Sequence, residues 1–223
     1  MAADRHPNPK LKVLVFAASL RAESLNHKLA TLATRIAEQN GATVDQASMR
    51  DFDVPSYDGD LEVARGIPAG AQDLRRRLTE NDAFIIASPE YNGSMPGLLK
   101  NLIDWASRFR PQPFDGRHGL LLSASPSLAG GNRGLWALRV PLEHLGARVY
   151  PDMFSLAQAQ QAFDAAGRIA APVLQERFER TIECFLELVE AAKHYRPLKK
   201  LWVEYLGEHP DAADRVEDTT LSP

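Results

Sequence analysis

Cysteine is nearly missing from this chain: among 223 residues, only Cys184 carries a thiol. That excludes an internal disulfide and leaves no basis for a cysteine-rich metal site. The six histidines fall at no metal-ligand spacing, so no metal is expected. Long apolar runs are missing as well, and none approaches the ~18 residues of a membrane-spanning helix. Residues 1–10 hold no apolar core and read as a frayed lead-in rather than a secretory signal. Neither sign of charge dominates. A formal net charge of −3 offers nothing for nucleic acid or an anionic membrane to hold. There is no Gly-x-Ser-x-Gly elbow and no Walker-type phosphate loop. A reducing, cytoplasmic location is the simplest expectation.

What is present is a soluble, globular composition, 44% hydrophobic and 25% charged. Residues 12–17, 83–87 and 118–124 are short apolar runs that read as strands buried on both faces. Residues 43–47 form a weaker strand at or near a sheet edge, and 147–150 a last short strand. Leu25, Leu29, Leu32 and Ile36 mark a helix that Asn40-Gly41 ends. Further helices show at Leu98, Leu102, Trp105 and Phe109, at Leu135, Leu138, Leu142 and Leu145, and at Leu174, Phe178, Ile182, Phe185 and Val189. Residues 70–80 read as a charged, exposed helix on which Arg75, Arg76 and Arg77 form a solvated face, and residues 50–70 as a long surface connection. Strand and helix alternate about five times, the pattern of a parallel sheet wrapped on both faces.

Three loops at strand ends can carry chemistry, because ligands of open α/β sheets sit beyond the carboxyl ends of the strands. The first holds Ser19, Arg21, Ser24 and Asn26 ahead of a helix start. Unpaired N–H groups and a partial positive charge there suit a phosphate; simple capping by Ser24 or Asn26 is the alternative. The second holds Glu90, Tyr91, Asn92 and Ser94. It suits a flat heterocycle, or it is an ordinary loop with one half-buried Tyr. The third holds Ser123, Ser125, Ser127 and Gly130-Gly131, which permit close backbone approach or merely form a loop. Cys184 lies off its helix's apolar stripe, Trp105 reads as core or interface, and Glu90 and Asp104 form no evident acid/base pair.

Taken together, the first two loops become specific. Ser19-Leu20-Arg21-Ala22-Glu23-Ser24-Leu25-Asn26 resembles the S-x-R-x-x-S-x-N phosphate loop of the NADPH-dependent FMN reductase family. Residues 88–105, beginning Ser88-Pro89-Glu90-Tyr91-Asn92 and ending Asp104-Trp105, resemble its S-P-E-Y-N-x-S-x-P-G-x-L-K-N-x-I-D-W signature. The resemblance runs over about residues 11–193, in order.

That resemblance implies a flavodoxin-like α/β fold, a three-layer sandwich with a five-stranded parallel sheet of order 2-1-3-4-5. It implies non-covalent FMN with its phosphate on Ser19, Arg21, Ser24 and Asn26, Leu25 as a further cofactor contact, and its ring along Pro89, Glu90, Tyr91 and Asn92 with Ser125 nearby. NADPH or NADH would reduce the flavin, and a quinone or other small acceptor would reoxidise it. The flavin would carry the hydride, so no catalytic side chain is expected, and Arg133 is a loose candidate for the NADPH phosphates. Family members are usually homodimers or homotetramers. The competing readings are an FMN-binding electron-transfer or redox-sensing module without efficient NAD(P)H turnover, and a relative that has lost flavin. Ala18 stands where the family usually has Gly. A positive φ there would cost an alanine on the order of 1 kcal/mol and weaken FMN binding; an ordinary backbone would cost nothing. Residues 194–223 read as an extension with one short helix at 198–206 and then a loose tail.

Overall fold

The computed structural model describes residues 10–193. Three strands, β1 (Lys12–Ala17), β3 (Ala83–Ala87) and β4 (His118–Ala124), run parallel through the middle of one sheet. Val13, Val15 and Ala17 pack under helices α1 (Leu25–Gln39) and α6 (Pro172–Ala192). Leu14 and Phe16, between them in sequence, face α3 (Ala69–Glu80), α4 (Gly97–Ala106) and α5 (Asn132–His144). Burial on both faces is why these strands read as unbroken apolar runs rather than alternating ones. β2 (Thr43–Ser48) pairs with β1 at the edge and stays half-buried. With a short strand β5 (Arg148–Val149) beyond β4, the order is β2-β1-β3-β4-β5, the flavodoxin-like order expected.

The fifth position departs from expectation. β5 (Arg148–Val149) is not the last strand; it pairs only with the start of β4. A sixth strand, β6 (Phe154–Leu156), pairs with the other end of β4 in the same direction. Pro151 lies between them and has no N–H to give the ladder, so one strand position is filled by two fragments. The connection at 50–70 is also not bare loop. It contains α2 (Gly59–Arg65), capped by Asp58 accepting from the Asp60 N–H. None of its residues is buried, so no apolar stripe signalled it.

Two helix readings shift in detail. The buried face of α4 is Leu99, Leu102, Ile103, Trp105 and Ala106, with Leu98 only partly covered and Phe109 buried beyond the helix end. On α6, Leu174 is exposed while Phe178, Ile182, Phe185 and Val189 are buried. Residues 1–9, the expected division at 193/194 and the expected helix at 198–206 lie outside the described residues.

The arginine run is not a uniform solvated face. Arg75 and Arg76 are exposed, but Arg77 turns toward the edge strand and pairs with Asp45, with Asp73 at 2.8 Å and with Asp51 at 3.7 Å. This network ties α3 to β2. Burial pushes the Asp73 carboxyl up, but the Arg77 and Arg76 guanidiniums outweigh that and hold it below the usual carboxylate value. A folded-state value below the unfolded one, about 3.9, contributes stability above that pH and loses it as pH falls through the folded value. Asp73→Asn should therefore lower the urea midpoint at pH 7 and close the gap to the parent toward pH 2. An equal gap at both pH values would show that the pairing has no such role.

Candidate functional site

β1 and β3 end side by side. Ala17 pairs with Ala87, and the ladder continues one step further as the Ala18 N–H donates to the Ala87 carbonyl at 2.9 Å. The loops that follow them are therefore neighbours. Among the described residues only Asn92 and Gln158 have positive φ without being glycine. Ala18 is thus in ordinary backbone, and the strain considered for it does not arise.

The loop after β1 is organised by its own groups. Ser24 is the N-cap of α1, accepting from the Asn26 N–H at 3.2 Å. Capping and anion binding are not exclusive, because the Ser24 hydroxyl still has its proton to donate. The buried Ser19 accepts from the Arg21 N–H at 3.3 Å, its carbonyl accepts from His27 Nε2 at 2.9 Å, and Arg50 holds the Leu20 carbonyl at 2.9 Å. Asn26 reaches across to β4. It donates to the Ala124 carbonyl and accepts from the Ala124 N–H, both at 3.0 Å. The carboxamide so mimics a strand partner and locks α1 to the end of the sheet. The Arg21 guanidinium is exposed and makes no ion pair among the described residues.

The loop after β3 is built by a two-residue hairpin. Tyr91 and Ser94 exchange both backbone hydrogen bonds, at 2.9 and 3.1 Å, around Asn92 (φ 53°) and Gly93 (φ 75°). Two central residues with positive φ define a type I′ turn, for which Asn-Gly is the favoured pair. The Glu90 carboxylate turns away to α5, where it meets the Gly134 N–H at 3.1 Å and Arg133 at 2.6 Å. Arg133 is thus an ion-pair partner of Glu90.

The loop after β4 is held by the segment following β6. Ser125 N–H donates to the Leu156 carbonyl, Ala159 N–H to the Ser125 carbonyl and Gln158 N–H to the Ser127 carbonyl, at 3.0, 3.0 and 3.2 Å. Ser123 does not take part: it is fully buried, its hydroxyl has no hydrogen-bond partner among the described residues, and it sits where a side chain at Gly131 would have to go.

These loops enclose a cleft of about 710 Å³. Ser19, Arg21, Ser24, Leu25 and Asn26 form one flank; Pro89, Glu90 and Tyr91 form the other, with Ser125 beside them. Asn92, at the hairpin tip, is not part of the wall. Glu23, Ala124, Pro126, Ser127 and Gln160 also line it and were not singled out as ligand contacts. Gln160 carries no sequence signal, because β6 brings it there and β6 itself is only three residues long. Asn101 and Trp105, deep in the long motif, lie away from the cleft. Trp105 is fully buried, and both donate at 2.8 Å to the Pro55 carbonyl, pinning the 50–70 connection to α4.

A doubly wound parallel sheet whose loops meet in a cleft at its carboxyl rim, beside a helix N-terminus, is the architecture of nucleotide- and flavin-binding α/β proteins. The comparisons make this particular. Residues 11–161 match the family model described as NADPH-dependent FMN reductase, and the chain belongs to that family. It is 34% identical over 175 residues to the NAD(P)H-dependent FMN reductase of Pseudomonas aeruginosa, covering 78% of this chain and 92% of that one. It is 37% identical over 140 residues to the quinone reductase of Escherichia coli, covering 63% and 73%. The structure of the flavoenzyme FerB, an NAD(P)H:(acceptor) oxidoreductase of Paracoccus denitrificans, superposes with a TM-score of 0.69 at 29% identity, covering 81% and 98%. Membership makes the chain an FMN-dependent NAD(P)H oxidoreductase. No described helix is long and apolar enough to cross a membrane.

The Asn26–Ala124 clasp gives a direct test of how the cleft is built. Asn26→Ala leaves a buried N–H and a buried carbonyl without partners, each worth about 1–3 kcal/mol. The expected loss of stability is about 2–6 kcal/mol on those figures, read by urea denaturation of the FMN-free protein. A loss near zero would show that the clasp is dispensable.

Proposed function

We propose that FMN binds in this cleft with its phosphate at the start of α1 and its ring along Pro89, Glu90 and Tyr91, the hairpin tip at Asn92 lying beyond the wall, and that a quinone is the electron acceptor. The observation that carries the reading is that Ser24 and Tyr91, 67 positions apart in sequence numbering, line one cleft. The residues fit the group. A cleft of this size is typical for a cofactor, one flank is rich in donors, and the other presents backbone and an aromatic edge. When bound, FMN supplies the chemistry: it takes a hydride from NAD(P)H and passes reducing equivalents to the acceptor. The chain's own residues bind and orient. The Ser19 and Ser24 hydroxyls and the Arg21 guanidinium meet the phosphate together with the α1 N–H groups. Pro89 through Tyr91 and Ser125 set the plane in which the ring lies. Tyr91, 48% exposed, stands at the mouth, where NAD(P)H and the acceptor exchange.

The acceptor reading follows from the quinone reductase relatives and from the open mouth of the cleft. Nothing in the site requires a side-chain nucleophile. A homodimer or homotetramer is proposed as the assembly, since α5 leaves Trp136 56% and Val140 70% exposed on one face. The cytoplasm is the proposed compartment. The ordinary backbone at Ala18 removes the feature that favoured a flavin-free relative.

Arg21→Ala should weaken FMN binding by about 1.5–3 kcal/mol, the worth of one charge-assisted hydrogen bond, while riboflavin, which lacks the phosphate, loses nothing. Equal losses for both ligands, or none, would remove Arg21 from the phosphate site. Turnover is tested separately. Anaerobic stopped-flow mixing with NADPH should bleach the bound flavin rapidly and a quinone should restore it. Slow bleaching would identify an electron carrier instead.

A further inference from the structure

Glu90 is a cleft residue whose carboxylate is only 7% exposed. A carboxylate so placed needs partners, and three donors meet it. Arg133 gives Nε at 2.8 Å and Nη2 at 2.6 Å to Oε1, and the Gly134 N–H gives 3.1 Å to Oε2. That N–H belongs to the first turn of α5, whose own N-cap, Gly131, has no side chain to serve it. Glu90, from a different loop, caps the helix in its place. The packing is tight, and a side chain at position 134 would need its neighbours to give by a few tenths of an ångström. A Cβ at position 134 would lie 3.1 Å from Glu90 Cα and from the Ser94 carbonyl oxygen.

Three fixed charges are therefore gathered behind the wall that Glu90 contributes to the cleft: the Glu90 carboxylate, the Arg133 guanidinium and about half a positive charge at the α5 N-terminus. Hydride uptake brings the flavin ring two electrons and one proton, so one unit of negative charge appears beside that wall. Fixed charges at such a site bias the step by an amount that grows as water is excluded. We propose that the Glu90–Arg133 pair tunes the reduction potential of the bound flavin. Glu90 cancels the positive charge of Arg133 and of the helix end, and so holds the potential below the value the same cleft would give without it. This rests on the flavin reading above.

Two variants separate charge from scaffold. Glu90→Gln keeps an oxygen for the Gly134 N–H and removes the negative charge. Arg133→Gln removes the positive one from a side chain that is 67% exposed. For each, the dissociation constant of oxidised FMN is measured by fluorescence and the midpoint potential by equilibrium titration against a redox dye. Glu90→Gln should favour binding of reduced over oxidised FMN by about tenfold, raising the midpoint by about 30 mV for a two-electron couple. Arg133→Gln should lower it by a similar amount. A merely structural role would weaken both redox forms alike and leave the potential in place. That result, or shifts of the same sign, overturns the proposal. Should Glu90→Gln fail to fold, an unchanged potential in Arg133→Gln overturns it alone. Failure of the unaltered protein to bind FMN would instead refute the flavin reading beneath it.

Discussion

The parallel pairing of β1 with β3 is the constraint on which the site depends. Their register, Val13 against Ala83 through Ala17 against Ala87, brings both strands to an end at the same level. A slip of one residue would turn every side chain to the opposite face and set the two loops at different heights. The register is held by burial on both sides, with Val15 and Ile85 in one core cluster and Phe16 and Ile86 in the other. The apolar packing that stabilises the fold also aligns the polar loops, so no separate device is needed to make the cleft.

Much of the long second motif serves that alignment rather than ligand contact. Asn92 and Gly93 make the turn, Glu90 caps α5, Lys100 and Asp104 pair along α4 at 2.6 Å, and Asn101 and Trp105 hold the 50–70 connection. Tyr57 closes on Trp105 edge-on, its ring centroid 4.9 Å away. Only Pro89, Glu90 and Tyr91 of this stretch reach the cleft wall. A sequence signature of this length therefore marks a way of building the loop, and only a small part of it faces the cleft.

The central strands and the helices that cover them were legible because their apolar residues recur with the period of the element. So were the capped start of α1 and the hairpin, because Ser24, Asn92 and Gly93 are residue types chosen by local backbone needs. What escaped notice depends on partners far away in sequence. α2 has no buried residue, and its place is set by Arg108 reaching Glu62 at 3.0 Å. β6 is three residues that become a strand only by lying against β4. Arg77 looks like its two neighbours until Asp45 and Asp51 are brought beside it. The part played by Glu90 requires knowing that α5 begins within reach of the β3 loop. Local propensity carries none of these.

Most polar groups around the cleft are already engaged with one another. Ser24 and Ser19 accept backbone N–H groups, Asn26 holds Ala124, Ser125 meets Ser127 at 3.1 Å and Glu90 is tied to α5. Such a cleft has little freedom left to lose when a ligand enters, so binding is not opposed by the ordering of its walls. A hydroxyl that accepts from the backbone has its oxygen fixed and its proton free. The bonds within the protein therefore aim the donors rather than consume them. Arg21 differs from these: its guanidinium is exposed and makes no ion pair among the described residues. A phosphate would have to organise that side chain, whose length and charge let it approach from the solvent side without disturbing the rest.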